Sequence, residues 1–152
     1  MDSIDRFNAV VGKIFAELYE TFPVPMDLSV EMLFDELVPG KPGTDSYKDY
    51  ADSRGEFFSA TVGWLVHAGY LYSTVRNQHL DDESFMQACL TAKAVECLKG
   101  LPPSLGGKTL GKGLSEAIKN SASDSLRSLA SEALTKGTTY AYSAASSFFT
   151  GS

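Results

Sequence analysis

From the N-terminus, apolar residues fall at Ile4, Phe7, Val10, Val11, Ile14, Phe15, Leu18, Tyr19 and Phe22. The i, i+3, i+4, i+7 spacing places them on one face of an α-helix that must bury that face. Asp2 or Ser3 stands where an N-cap is needed, and Pro23 and Pro25 end the helix. A second helix is predicted after Ser29, with Val30, Leu33, Phe34 and Leu37 on one face and Pro39-Gly40-Lys41-Pro42-Gly43 as its stop. Residues 44–53 are polar apart from Tyr47, Tyr50 and Ala51, and predict only a short helical turn. A third helix is predicted from about Ser53, with two apolar stripes. Phe58, Val62, Leu65 and Val66 form one; Phe57, Thr61, Trp64 and Ala68 form the other. Gly69 suits the left-handed position just past its end.

After Gly69 the pattern changes. Tyr70-Leu71-Tyr72-Ser73-Thr74-Val75 is rich in β-formers and predicts a strand. Residues 77–83 are a polar loop, and Phe85 to Leu90 supply the return strand. Thr91 caps a helix from Ala92 to about Leu98, closed by Gly100. The predicted fold class is mainly α with a small β-hairpin, an α+β arrangement.

Residues 101–109, beginning Leu101-Pro102-Pro103-Ser104-Leu105-Gly106-Gly107, read as a linker, because paired Pro and paired Gly both interrupt regular structure. Beyond it, Leu110, Leu114, Ala117, Ile118, Ala122, Leu126, Leu129, Ala133 and Leu134 predict one amphipathic helix from about 110 to 136, broken by Gly137. A further apolar piece, 138–149, ends in Phe148-Phe149. The expected organisation is a domain over 1–100, a linker over 101–109, and a Ser/Ala/Gly-rich helical tail over 110–152.

Composition supports that division. Of 152 residues, 43% are apolar and 21% charged, enough for a packed core and against wholesale disorder. The net charge of −6 divides unevenly. Residues 1–100 hold eight basic and sixteen acidic residues, a net of −8, whereas residues 101–152 hold five and three, a net of +2. Two cysteines and two histidines cannot build a disulfide framework, a Cys₄ zinc site or a multi-His metal centre. The opening MDSIDRFNAVVGK lacks the basic and apolar regions of a signal peptide, and no stretch is apolar enough to span a bilayer as a helix. The expectation is a cytoplasmic protein with Cys89 and Cys97 reduced.

Three helices followed by a β-hairpin resemble the winged helix-turn-helix family over residues 3–99. The likeness is sharpest in Trp64-Leu65-Val66-His67-Ala68-Gly69-Tyr70-Leu71, which looks like the end of that family's third helix entering its first wing strand. Residues 89–98 look like the second wing strand and the closing helix. One departure is the fourteen-residue connection, Pro39 to Asp52, before the third helix. The resemblance implies DNA recognition by that helix and the wing, through Arg54, Ser59, Thr61 and His67 on the one and Arg76, Asn77, Gln78 and His79 on the other. Charge argues the other way. Lys and Arg on phosphates supply most duplex affinity. Here the helix offers Arg54 beside Glu56, and the wing offers Arg76 followed by Asp81, Asp82 and Glu83.

The favoured expectation is therefore a non-enzymatic protein-interaction module, an adaptor or regulatory subunit, without cofactor. Phe57, Thr61 and Trp64 are its candidate partner surface. Aromatics are enriched in interface hot spots, although a stripe at helical spacing is more often core. The apolar face of the tail is expected either to pack back on the domain or to pair with another copy, and Leu110, Leu114 and Ile118 are the candidates for self-association into a homo-oligomer. A DNA-binding regulator is one alternative. The other is a membrane-associating effector in which Lys108, Lys112, Lys119, Arg127 and Lys136 meet anionic lipid and Phe148-Phe149 insert. No nucleophile, base and orienting group fall together, and both thiols lie in apolar segments, so catalysis is not expected.

Overall fold

The computed structural model describes residues 2–30, 47–73, 75–76 and 84–150, with the backbone alone for 47–54, 75–76, 84–86 and 140–150. The chain runs α1 (Ser3–Thr21), β1 (Met26–Ser29), α2 (Tyr47–His67), β2 (Leu71–Tyr72), β3 (Val75–Arg76), β4 (Ser84–Leu90), α3 (Ala92–Leu98), a 3₁₀ turn (Pro103–Leu105), α4 (Leu110–Lys119) and α5 (Ser123–Thr150). It is mainly helical with a small antiparallel sheet, as the pattern predicts.

The α1 helix begins where its sequence says it should. The Asp2 carboxylate accepts the Asp5 N–H at 2.8 Å, satisfying one of the free donors of the first turn. Its buried residues, Ala9, Val10, Val11, Gly12, Ile14, Phe15, Ala16 and Leu18, occupy more than one stripe. A helix buried on several sides needs cover from several elements, and α1 receives it from the sheet, from α2 and from both C-terminal helices.

In the sheet, β4 is central. It pairs antiparallel with β1 on one side and with β2 and then β3 along the other. The pairs Leu71↔Leu90, Tyr72↔Cys89, Val75↔Met86 and Arg76↔Phe85 keep one register, so β2 and β3 are two parts of one predicted strand. Gln87 adopts φ +54°, and the β1–β4 register shifts beside it. Its N–H is taken by the Asp27 carboxylate at 2.9 Å. The pairing of β1 was not legible, because Met26–Ser29 is short and its alternation brief. The second predicted helix, with Leu33, Phe34 and Leu37, lies outside the described residues. The predicted start of the third helix at Ser53 is corrected to Tyr47, so six residues of the expected connection, 47–52, are helical.

Two helices end in the same way. In α2 the Tyr70 N–H bonds the Leu65 carbonyl and the Gly69 N–H bonds Val66, with Gly69 at φ +86°. In α4 the Ala122 N–H bonds Ala117 and the Ser121 N–H bonds Ile118, with Ser121 at φ +53°. Both are Schellman endings. The first was predicted from its glycine. The second corrects the single helix expected over 110–136: the apolar stripe continues in register across it, and a serine carries no such warning. Gly137 is not the break. It lies inside α5, where a Cβ would stand 2.1 Å from the Tyr70 hydroxyl.

The C-terminal helices belong to the same core as the rest. Val10, Ile14, Phe15, Phe58, Val62, Leu65, Leu98, Leu110, Leu114, Leu126 and Ala133 form one continuous buried cluster. The α4 helix approaches α1 so closely that a Cβ on Gly111 would lie 2.6 Å from the Tyr19 ring. The expected linker is an ordered loop, closed by the Leu110 N–H on the Gly100 carbonyl at 2.9 Å and carrying a buried Pro102. Residues 101–109 thus join two stretches of chain that share a core.

Candidate functional site: an apolar groove around Trp64

The first turns of α1 and the second half of α2 diverge enough to leave a groove of about 390 Å³. Ser3, Ile4 and Phe7 line one wall, and Phe57, Ala60, Thr61 and Trp64 the other. Helical spacing brings 57, 60, 61 and 64 to one face. Phe58, Val62 and Leu65 take the adjacent face and are fully buried.

Exposure separates the two stripes. Trp64 is 47% exposed and Ile4 66%, at a place where most large apolar side chains of a folded chain are covered. Val66, expected in the core stripe, is instead exposed. Thr61 is buried, and its hydroxyl donates to the Phe57 carbonyl at 2.8 Å. It therefore lines the groove with its hydroxyl proton already committed to the helix backbone. Arg6 lies over the Phe57 ring, 4.4 Å from its centroid, and so braces one of the lining side chains.

Trp64 is exposed but not loose. The Phe7 ring meets it edge-on at 5.3 Å and 89°. The Tyr70 ring stacks on it at 6.1 Å and 17°. Tyr70 is itself held: its hydroxyl donates to the Leu134 carbonyl at 2.8 Å, and the Lys93 ammonium sits 4.2 Å from its ring centroid while donating to the Ala68 carbonyl at 2.8 Å. Burial, followed by the nearby Cys97, raises the Tyr70 hydroxyl above its ordinary pKa, while a hydrogen bond with Thr138 acts against it. The hydroxyl is therefore a neutral donor at neutral pH.

The other predicted residues divide sharply. Leu110 and Leu114 are fully inaccessible within the core and Ile118 is partly buried against it, so of the two expected uses of this face the structure shows packing on the domain, and Leu110 and Leu114 are corrected from association surface to intramolecular packing. The same burial takes the apolar face of 110–133 away from lipid. Among the described residues no helix is long and apolar enough to cross a membrane. Arg54 lies in α2 and Arg76 in β3, while Asn77, Gln78 and His79 lie outside the described residues. Cys89 and Cys97 are buried free thiols, as expected. Burial raises the Cys97 pKa, with Lys93 and Lys136 opposing, which suits packing better than nucleophilic chemistry. Among the described residues no group of three or more His, Cys, Asp or Glu is placed to hold a metal ion.

Sequence reasoning missed Ile4 and Phe7 as partners of Trp64, because their spacing in α1 reads only as core. A second set of exposed apolar residues, Phe22, Val24 and Tyr72, lies at the opposite end of α1. Tyr72 there engages the Cys89 thiol, which also reaches the Pro23 carbonyl at 3.6 Å. No protein-family model, no curated protein and no solved structure matches the chain.

Proposed function

We propose that this chain is a non-enzymatic protein-interaction module, winged-helix-like in residues 3–99, that grips an apolar anchor of a protein partner between α1 and α2. The observation that carries the reading is Trp64: a large aromatic, half exposed, held on two sides and set at the rim of an apolar groove. Rigid aromatics that lose little entropy on binding are the commonest hot spots of protein interfaces. The volume suits one or two large side chains, as a short amphipathic helix presents at i and i+3 or i+4.

Charge narrows the partner. Asp2 and Glu56, the immediate chain neighbours of lining residues Ser3 and Phe57, are exposed carboxylates, and the chain carries −6 overall. A partner with basic residues flanking its apolar anchor is favoured, and a polyanion is disfavoured. Leu110 and Leu114 are buried within one chain, which favours a different partner surface over pairing of two copies through them.

The test is selection from a displayed library of amphipathic peptides against the full chain, with duplex DNA titrated in parallel over a range of salt. The reading predicts peptides with an apolar anchor and basic flanks, whose binding is lost in Trp64→Ala and in Ile4→Ser. Tight, salt-dependent duplex binding that is indifferent to Trp64→Ala and lost on Arg54→Ala or Arg76→Ala would replace it with the DNA-binding reading.

A further inference from the structure

The Trp64 groove and the C-terminal helix lie on opposite sides of one side chain, Tyr70. One face of its ring stacks on Trp64, and its hydroxyl donates to the Leu134 carbonyl of α5. Gly137, three residues further along α5, leaves the space that this hydroxyl fills; a Cβ there would lie 2.1 Å from the oxygen and 2.4 Å from the ring. Glycine is costly in the interior of a 28-residue helix, and here it lets Tyr70 reach the α5 backbone. Lys93 holds the ring from α3 while its ammonium is fixed to the end of α2 through Ala68.

We propose that Tyr70 is a positioning residue that couples the seating of α5 to the orientation of Trp64. Movement of α5, at Leu134–Gly137, away from Tyr70 withdraws the hydrogen bond that holds the Tyr70 ring. The ring no longer backs the indole, and the groove wall loses its shape. By linkage, a partner that grips Trp64 in its stacked orientation favours the seated α5, and anything that unseats α5 weakens the grip. This regulation of the groove rests on the proposed partner reading, but its physical core concerns Trp64 and α5 alone.

The chain has one tryptophan, so intrinsic fluorescence reports on Trp64 directly and needs no partner. Emission maximum and acrylamide quenching are measured on the full chain, with helical content followed by circular dichroism. Gly137→Ala crowds Tyr70, and the proposal predicts a red shift and stronger quenching. Gly63→Ala, where nothing beyond its chain neighbours and its own helix backbone lies within 4 Å of the new Cβ, leaves both unchanged. In a Tyr70→Leu background, which removes the crowded ring, Gly137→Ala has no further effect on Trp64. Should Gly137→Ala fail to fold, Tyr70→Leu restores folding, and Tyr70→Phe alone shifts Trp64 in the same direction by removing only the hydroxyl and its bonds to Leu134 and Thr138 of α5.

A folded Gly137→Ala with unaltered Trp64 emission and quenching overturns the coupling. So does a Trp64 response of equal size in the Tyr70→Leu background, or a Gly137→Ala folding failure that Tyr70→Leu does not relieve together with a silent Tyr70→Phe. If the coupling holds and no peptide ever requires Trp64, the partner reading fails alone. If peptides require Trp64 and Gly137→Ala is silent, the coupling fails alone.

Discussion

A tryptophan half in solvent and a tyrosine buried behind it depend on what backs each ring. Trp64 has Phe7 and Tyr70 on two sides and the groove on the third, whereas Tyr70 is enclosed by Phe15, Trp64, Lys93 and α5. Small residues decide such contacts as much as large ones. Gly111→Ala drives a Cβ to 2.6 Å from the Tyr19 ring, and overpacking of this kind costs about 1–3 kcal/mol. Gly63→Ala meets nothing beyond its own stretch of helix, and the gain in helix propensity stabilises by about 0.5–1 kcal/mol. Urea denaturation therefore moves in opposite directions for the two variants. The buried thiol sets a pH dependence. Burial raises the Cys97 pKa from its ordinary 9.0, so the native state holds that proton longer than the unfolded chain. The stabilisation is intact at neutral pH and is lost as pH rises above the ordinary value, and Tyr70 acts in the same sense from its ordinary 10.0 upward. The urea midpoint falls between about pH 8 and about pH 10.5, and Cys97→Ala removes part of that slope.

The ends of the elements show which local signals were readable. Asp2, Gly69 and Thr91 each act as their residue types predict. Thr91 accepts the Ala94 N–H at 3.3 Å to start α3 and donates to the Gly69 carbonyl at 2.6 Å. Thr91→Ala removes both bonds and costs about 1–2 kcal/mol, read as a lowered midpoint for the whole chain. The Ser121 ending was not readable. Its left-handed turn is held by backbone bonds alone, and Leu110, Leu114, Ala117, Leu126, Leu129 and Ala133 stay in phase on either side. Helix periodicity reports which face is buried, not whether the axis continues. The α2 stripe was half legible for a related reason. Spacing placed Phe57, Thr61 and Trp64 on one face correctly, but whether that face meets core or solvent depends on how far α1 diverges from it.

At the scale of the molecule, the helices after residue 109 are structural partners of the first helix. The uneven charge and the Pro/Gly run suggested an appendage, but burial overrides both: Gly12 and Gly111 admit α5 and α4 against α1, and Leu114 and Ala130 are fully enclosed. Leu114→Ala therefore costs about 2–5 kcal/mol. Fluorescence of Trp64 and far-ultraviolet ellipticity lose their native signals together in urea, because both report on one cooperative core. An independent domain of residues 1–100 would instead keep Trp64 native while helicity fell. Over residues 110–133, α4 and α5 spend their apolar face inside the protein, and among the described residues the exposed apolar surface proposed to receive a partner is the Trp64 groove. The most direct test of that claim is the dissociation constant of a selected peptide for the full chain and for Trp64→Ala. A hot-spot loss of 2 kcal/mol or more predicts binding weakened by about thirtyfold or more with the fold intact. An unchanged dissociation constant would contradict the claim.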